Sequence, residues 1–253
     1  MSGSEARALL RRARSAALAT ALAGESGGGS GGGSGGESGG GWPYASLVTI
    51  ACDADASPIL LLSDLSDHTR NIARDDRTSL LVEAASNRAN PQTGPRVTLL
   101  GRIARTNGER HRRRFLARHP GAGLYAGFAD FNVYRMQVER AHFVGGFGRA
   151  AWLSSDDVLL PPAPAAAAAD AEPALLAEWQ KVRAEQVSRV AERRLARPGA
   201  GWRLIAVDPE GCDLRRRGTL SRLDFESVAH SADELTAALE ALFAGSGSGH
   251  QAG

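Results

Sequence analysis

The stretch LLLSDLSDHTRNIARDDRTSLLV, residues 60 to 82, sets a chemical cluster at the end of an apolar run. The leucines stop at Ser63, and Asp64, Ser66, Asp67, His68, Thr69, Arg70 and Asn71 follow before apolar residues return. Asp67 or Ser66 suits the N-cap of a short helix through Asn71, Ile72 and Ala73. The first turn of such a helix carries backbone N–H groups with no intrahelical partner, and with the helix dipole these favour an anion. Arg70 adds a full charge on a planar fork that matches phosphate, while the hydroxyls of Ser63 and Thr69 add donors. The chemistry predicted is phosphate binding where a buried strand ends. The alternative is a capped helix whose polar residues only face water.

The rest of the chain sets bounds on that chemistry. Its 253 residues suit one large domain or two modest ones, and 43% hydrophobic against 23% charged residues describe a globular protein. Thirty basic residues face 28 acidic ones, a net charge of +2, which argues against a protein built to coat nucleic acid. The runs Arg112-Arg113-Arg114 and Arg215-Arg216-Arg217 are therefore expected to be solvated faces. Lys181 is the only lysine and lies in a polar helical stretch, which counts against a Schiff-base mechanism. Cys52 and Cys212 are too few for a disulfide framework or a zinc site, and they fit a reducing compartment. No stretch approaches the ~20 apolar residues of a membrane span. A cytoplasmic protein without nucleic-acid or membrane partners is expected.

The elements that must position the cluster can be read from periodicity. Ala6, Leu9, Leu10 and Ala13 recur at helical spacing with arginines opposite, which predicts an amphipathic helix rather than a secretion signal. Residues 24–41 repeat Gly and Ser and are expected to be a flexible loop. YASLVTIAC, PILLLS, TSLLVEA and RVTLLGRIAR read as strands, and ERHRRRFLARH as a helix. FNVYRMQVERAHFVGGFG reads as a long strand or hairpin broken by glycines at a bulge. So many antiparallel strands predict a small closed or partly closed barrel over residues 1–155.

Residues 156–173, with PPAPAAAAADAEP, read as a linker. Residues 174–245 read as a small α+β domain of helix, three-stranded antiparallel meander and helix. The first helix ends at Pro198-Gly199, and the last is capped by Ser231 with Glu234 completing a capping box. Residues 246–253 are expected to be a disordered tail. The fold class is α+β.

Several segments in order carry a resemblance: WPYASLVTIA, LLLSDLSDHTRNI, TGPRVTLLGRI, RRFLARHPGAGLYAGFADF and YRMQVERAHFVGGFGRAAWL. Together they resemble the pyridoxamine 5'-phosphate oxidase-like FMN-binding split barrels, in particular the haem-utilisation (HugZ-type) branch. VDPEGCDLRRRG and RLDF are similar to the small α+β domain often fused behind that barrel. The resemblance implies an intertwined homodimer with FMN between the subunits. Ser63, His68, Thr69, Arg70 and Asn71 would then hold the flavin phosphate and ribityl chain. Ser46 and Thr49 would line the ribityl chain or the isoalloxazine, and Arg96 would reach the phosphate region. Trp42 and Tyr44 would flank the pocket or belong to the core.

The implied function is that of an FMN-binding oxidoreductase of the haem-utilisation type, able to bind or degrade haem. The alternative is a non-catalytic flavin- or haem-binding or regulatory protein on the same fold, with a vitamin-B6 oxidase as a third reading. No catalytic acid, base or nucleophile is identified. Of six histidines, His142 is the candidate haem-iron ligand, because strict alternation places it on one face with Met136, Val138, Arg140 and Val144. A histidine satisfied within the core is its alternative. His111 and His119 flank the arginine-rich helix and are expected to be exposed, His230 belongs to a turn, and His250 lies in the Gly/Ser tail. One departure stands out. The second domain of relatives opens with a His-Met-Asn-x-Asp-His pattern, where this chain has Glu178-Trp179-Gln180-Lys181-Val182-Arg183.

Overall fold

The structure is a computed structural model, and it describes residues 2–22, 42–86, 88–146, 148–197 and 199–244. The chain divides into two compact units, Met1–Leu159 and Leu160–Gly253. The expected 24–41 loop, the 246–253 tail and His250 lie outside the described residues.

The first unit begins with helix α1 (Ser2–Arg12). Strands β1 (Ser15–Ala21), β2 (Pro43–Cys52) and β3 (Pro58–Ser63) follow, then helix α2 (Asp67–Arg74) and strands β4 (Arg77–Glu83) and β5 (Arg96–Arg105). Helix α3 (Glu109–Arg118), the long strand β6 (Phe131–Val144), β7 (Ala150–Ser154) and the short helix α4 (Ser155–Val158) complete it. The strands pair antiparallel in the order β3-β2-β1-β4-β5-β6-β7, and β3 also pairs with β6. That extra pairing closes six strands into a barrel and leaves β7 as an added strand on β6. Closure removes the exposed edges that an open sheet of this width would carry.

Period-2 alternation fills the interior. Ala16 and Leu18, Val48 and Ile50, Leu80 and Val82, and Val97, Leu99 and Ile103 point inward, and Ala6 and Leu10 of α1 join the same core. Strand β3 breaks the alternation because both its faces are covered. Leu60 and Leu62 enter the barrel core, while Ile59 and Leu61 enter a second core with Ala51, Phe115, Ala122, Ala126 and Val133 under α3. The leucine run is thus explained by burial on two sides.

A bulge divides β6. Leu100 pairs with Arg140 and Gly101 with Val138, so Glu139 has no opposite residue. Gly101 is required here, because a Cβ at this position would lie 2.0 Å from the Gln137 carbonyl oxygen. Before the bulge Tyr134, Met136 and Val138 face inward; after it Ala141 and Phe143 do.

In the second unit, helix α5 (Pro162–Lys181) runs through the residues expected to be a linker. Pro162 occupies the first turn, where its missing N–H costs nothing, and the alanine run behind it has the best helix propensity available. Pro173 sits inside this helix, and the buried Glu172 accepts a bond from the Val207 N–H at 3.0 Å. The helix expected to continue to Pro198 breaks after Lys181 and resumes as α6 (Ala184–Leu195), ended by Ala196 in the left-handed region. Strands β8 (Arg203–Asp208), β9 (Gly211–Arg216) and β10 (Thr219–Asp224) form the expected antiparallel meander. Helix α7 (Ala232–Ala244) follows; the Ser231 hydroxyl accepts from the Glu234 N–H, and the Glu234 carboxylate accepts from the His230 N–H. Arg222, buried among Asp208, Asp213 and Asp224, ties the meander together.

Candidate functional site

At the end of β3 the polar cluster forms a mouth around the start of α2. Ser66 takes the N-cap position, but its hydroxyl bonds the Ser63 carbonyl at 2.7 Å and the Thr69 hydroxyl at 2.8 Å rather than a first-turn N–H. The N–H groups of Asp67 and His68 have no partner among the described residues, as a helix start leaves them. The Arg70 guanidinium is exposed and reaches only Asp67, at 3.2 Å. Exposed pairs of this kind hold their partners weakly, at ~0–1 kcal/mol. The Ser63 hydroxyl donates to Asp130 at 2.5 Å, and the Asn132 amide donates to Asp64 at 2.9 Å. Asp130 joins Asp64 and Asp67, which makes the mouth richer in carboxylates by one than the sequence reading had it.

Two of the predicted residues are fixed inward. Asn71 is buried and donates to the Thr20 hydroxyl at 3.0 Å, which ties α2 to β1. His68 is half-buried, with Nδ1 3.1 Å from the Ser46 hydroxyl. Burial lowers its pKa below the ordinary imidazole value, against the opposing pull of Asp67. The structure therefore brings together Ser46, Ser63, His68, Thr69, Arg70 and Asn71.

Two others stand apart from this cluster. Thr49 is exposed on the outer face of β2, opposite to the face that carries Ser46. Arg96 pairs with Glu83, at the far end of β4 from α2 and roughly 20 Å along that strand. Its guanidinium donates to the Gln92 and Gly94 carbonyls.

His142 also lies on the outer wall, and here strict alternation misleads. The extra residue Glu139 reverses the parity of β6, so His142 shares its face with Arg140 and Val144 but not with Met136 or Val138. It is half-buried, and its ring stacks against Trp152 with centroids 4.9 Å apart; Arg140 lies 4.8 Å over the same indole. Register places these residues at the end of a row across six neighbouring strands: Leu47, Ala17, Leu81, Thr98, His142 and Trp152. Leu47 is 81% and Trp152 59% exposed, and Leu81 and Ala17 are exposed as well. Trp42, at 82%, is not a core residue. Sequence reasoning missed this row, because no local pattern links residues on six strands.

The arginine-rich helix is not a solvated face. Arg114 and Arg118 are buried and donate to backbone carbonyls, Arg114 to Cys52 and Arg118 to Arg11 and Ala13. His119 Nε2 donates to the Ile50 carbonyl at 2.7 Å. Burial lowers its pKa; the Ile50 bond opposes this and the charges of Arg118 and Arg14 add to it. Asp53, 2% exposed, accepts from Arg110 at 2.9 and 3.0 Å and from the Ala54 N–H, and lies 3.0 Å from His111 Nε2. Burial alone would raise its pKa, but these bonds hold the carboxyl far below the carboxylate range. Among the described residues, no group of three or more His, Cys, Asp and Glu could hold a metal ion, and no helix is long and apolar enough to cross a membrane.

Comparison with known proteins agrees with this architecture. Residues 2–159 match the family model described as CREG, beta-barrel. Over 113 residues the chain is 34% identical to the chloroplastic haem oxygenase HOZ of Arabidopsis thaliana, a match spanning 44% of this chain and 34% of that protein. A crystal structure of a protein of unknown function from Agrobacterium tumefaciens superposes with a TM-score of 0.72 at 26% identity, covering 94% of this chain and 93% of that one. A haem-binding protein from Mycobacterium smegmatis gives 0.54 at 26% identity, over 96% of both chains.

Proposed function

The chain belongs to the CREG β-barrel family, and from that premise we propose that it is a haem-binding protein working as a homodimer, with haem on the outer wall of the barrel at His142. The observation that carries this reading is the exposed apolar row ending on His142 and Trp152. A haem site can be built from an imidazole nitrogen as axial ligand, an apolar surface for the porphyrin and a cation for its propionates. His142, Trp152 and Arg140 supply one of each within a single patch, so the residues fit the group. The haem-binding and haem-oxygenase names of two relatives support the same reading. Bound haem supplies the iron chemistry. His142 would hold the group in place, Arg140 would balance its negative charge, and Trp152 would shield part of its ring from water. Leu47, Ala17 and Leu81, on the same wall, are the surface for a second copy.

Haem titration of the purified protein should give a saturable Soret shift, and His142→Ala should abolish it or weaken affinity by tenfold or more. Unchanged binding by that variant overturns the assignment. Adding a reductant then separates the two modes of action: a biliverdin-like product identifies an oxidoreductase, and a stable Soret band identifies a binding protein.

A second reading, FMN at the start of α2, is favoured by the unpartnered N–H groups of Asp67 and His68 and by the loosely held Arg70. Ser46, Ser63, His68, Thr69 and Asn71 would shape that end of the site. Thr49 and Arg96, remote from α2 in the same protomer, would serve a flavin held by the other subunit. Saturable quenching of FMN fluorescence is the expected result, and its absence removes this reading.

A further inference from the structure

Where β5 gives way to α3, the first unit holds a hydrogen-bonded relay that neither reading above uses. His111 Nδ1 lies 2.9 Å from the Thr106 hydroxyl, and His111 Nε2 lies 3.0 Å from the Asp53 carboxylate. Asp53 is held far below the carboxylate range and so is ionised, an acceptor only. This pattern assigns the tautomer: Nε2 carries the proton, Nδ1 is the acceptor, and the Thr106 hydroxyl donates to it. A hydroxyl bonded to an imidazole that a carboxylate orients is the arrangement that makes an alcohol a nucleophile. Asp53 is itself gripped by both prongs of Arg110 and by the Ala54 N–H, so the base has a rigid anchor.

The backbone around the relay supplies what the side chains do not. Asp53 is enclosed, whereas Thr106 is half-buried on the β5–α3 loop, its own N–H fixed to the Val133 carbonyl at 2.8 Å. The Gly108 N–H donates to the Thr106 oxygen at 3.2 Å, which favours negative charge on that oxygen as its proton leaves. A Cβ on Gly108 would lie 2.7 Å from His111 Nδ1, so glycine is required for the imidazole to reach the hydroxyl. Gly108 is also the N-cap of α3, and the N–H groups of Glu109 and Arg110 have no partner among the described residues. Free backbone donors beside a nucleophile are the parts of an oxyanion hole. Base, orienting carboxylate, hydroxyl and donors thus meet at one helix start.

We propose that Thr106 is an acyl-accepting nucleophile and that this site hydrolyses short-chain, activated carboxylic esters. The Thr106 oxygen attacks the ester carbonyl carbon while His111 Nδ1 takes the hydroxyl proton. The N–H groups of Glu109 and Arg110 meet the oxyanion of the tetrahedral intermediate. The bond to the leaving oxygen breaks, the alcohol departs with the proton from His111, and an acyl-threonine remains. Water then attacks the acyl carbon with His111 again as base, which releases the carboxylic acid and restores the Thr106 hydroxyl. Ester and water are the only reactants. No residue of the α2 mouth or of the His142 wall takes part, so the fate of this site is separate from that of the haem and flavin readings.

The test uses the full chain and p-nitrophenyl acetate, with nitrophenolate release read by absorbance and the acid-quenched protein read by peptide mass. Release should exceed that given by an equal concentration of imidazole, and the acetyl group should map to Thr106. Thr106→Val, which removes the hydroxyl and keeps the shape, should abolish both signals, while Thr106→Ser should retain them. Glu109→Pro removes one oxyanion donor at the first helical position, where proline is tolerated; Gly108, at φ −66° and ψ 110°, already suits a following proline. Its rate should fall by at least about tenfold. Circular dichroism confirms that the variants fold, and His142→Ala should leave the rate unchanged. Turnover no faster than imidazole, acetylation confined to other residues, or a full rate in Thr106→Val or Glu109→Pro would each overturn the proposal.

Discussion

Two clusters of Asp, His and Arg lie at opposite ends of β3, and they differ in how tightly their charges are held. At the Pro58 end, Asp53 is enclosed and accepts four hydrogen bonds, from a backbone N–H, from both prongs of Arg110 and from His111. At the Ser63 end, Arg70 is exposed and reaches only Asp67, the hydroxyls bond one another or Asp130, and two backbone donors have no partner among the described residues. The same side-chain chemistry makes a structural clamp in one place and an open site in the other. What separates them is burial: a charge removed from water must be fully compensated to persist, whereas an exposed one can exchange partners.

This contrast can be broken from either end. The largest effect is expected for Asp53→Ala, which strips His111 and the Ala54 N–H of their acceptor and should lower stability by about 3 kcal/mol. Urea denaturation measures it. If the proposed dimer forms through the exposed row, Leu47→Ala should leave the single chain folded and weaken self-association by about 2 kcal/mol, read by sedimentation equilibrium. Arg70→Ala should change stability little and, on the proposed flavin reading, weaken FMN binding by about 1.5 kcal/mol, the worth of a charge-assisted bond. A loss of folding in this variant would mean that the α2 mouth is a clamp like the Asp53 cluster.

Acid titration sharpens the same comparison with a smaller effect. His68 and His119 both titrate below 6.5 in the fold, so the unfolded chain takes up protons first. Their contribution to stability is complete above pH 6.5 and declines as the pH falls below it. Asp53 titrates far below 3.8, so a second decline begins as the pH falls past that value. Thermal midpoints measured from pH 8 to pH 2 should show the two stages, and Asp53→Ala should shrink the lower one, to which Asp75, Glu83 and Asp157 also contribute.

The core of the α2 mouth was legible because Ser63 to Asn71 are nine consecutive residues, where cap and anion-site rules operate; Asp130 and Asn132, which come from the chain before and at the start of β6, were not. The barrel was legible from the number of strand-like runs, although β3 does not alternate and β6 changes phase, and the meander was legible from its turns. The Leu47-to-Trp152 row was not, because strand register is set by pairing across the whole barrel. The buried Arg114 and Arg118 were misread for a different reason: an arginine pattern does not reveal that backbone carbonyls of β2 and the α1–β1 turn stand ready to receive it. The stretch 162–173 was misread because proline and alanine together suggest a linker, whereas Pro162 and Pro164 fall in a first turn and the alanine run carries the helix on through Pro173. His142 was chosen for alternation with Met136 and Val138, and the structure places it on the other face.

That last case has a wider consequence. With Glu139 present, the strand after it is phased to put Ala141 and Phe143 in the core and His142 in contact with Trp152. Deleting this single residue would turn the final third of β6 inside out. The phenyl ring would move to the surface and the imidazole to the interior, and no residue that meets a ligand would have been substituted. Whether this wall can receive a ligand is thus decided by chain length at one point as much as by side-chain identity.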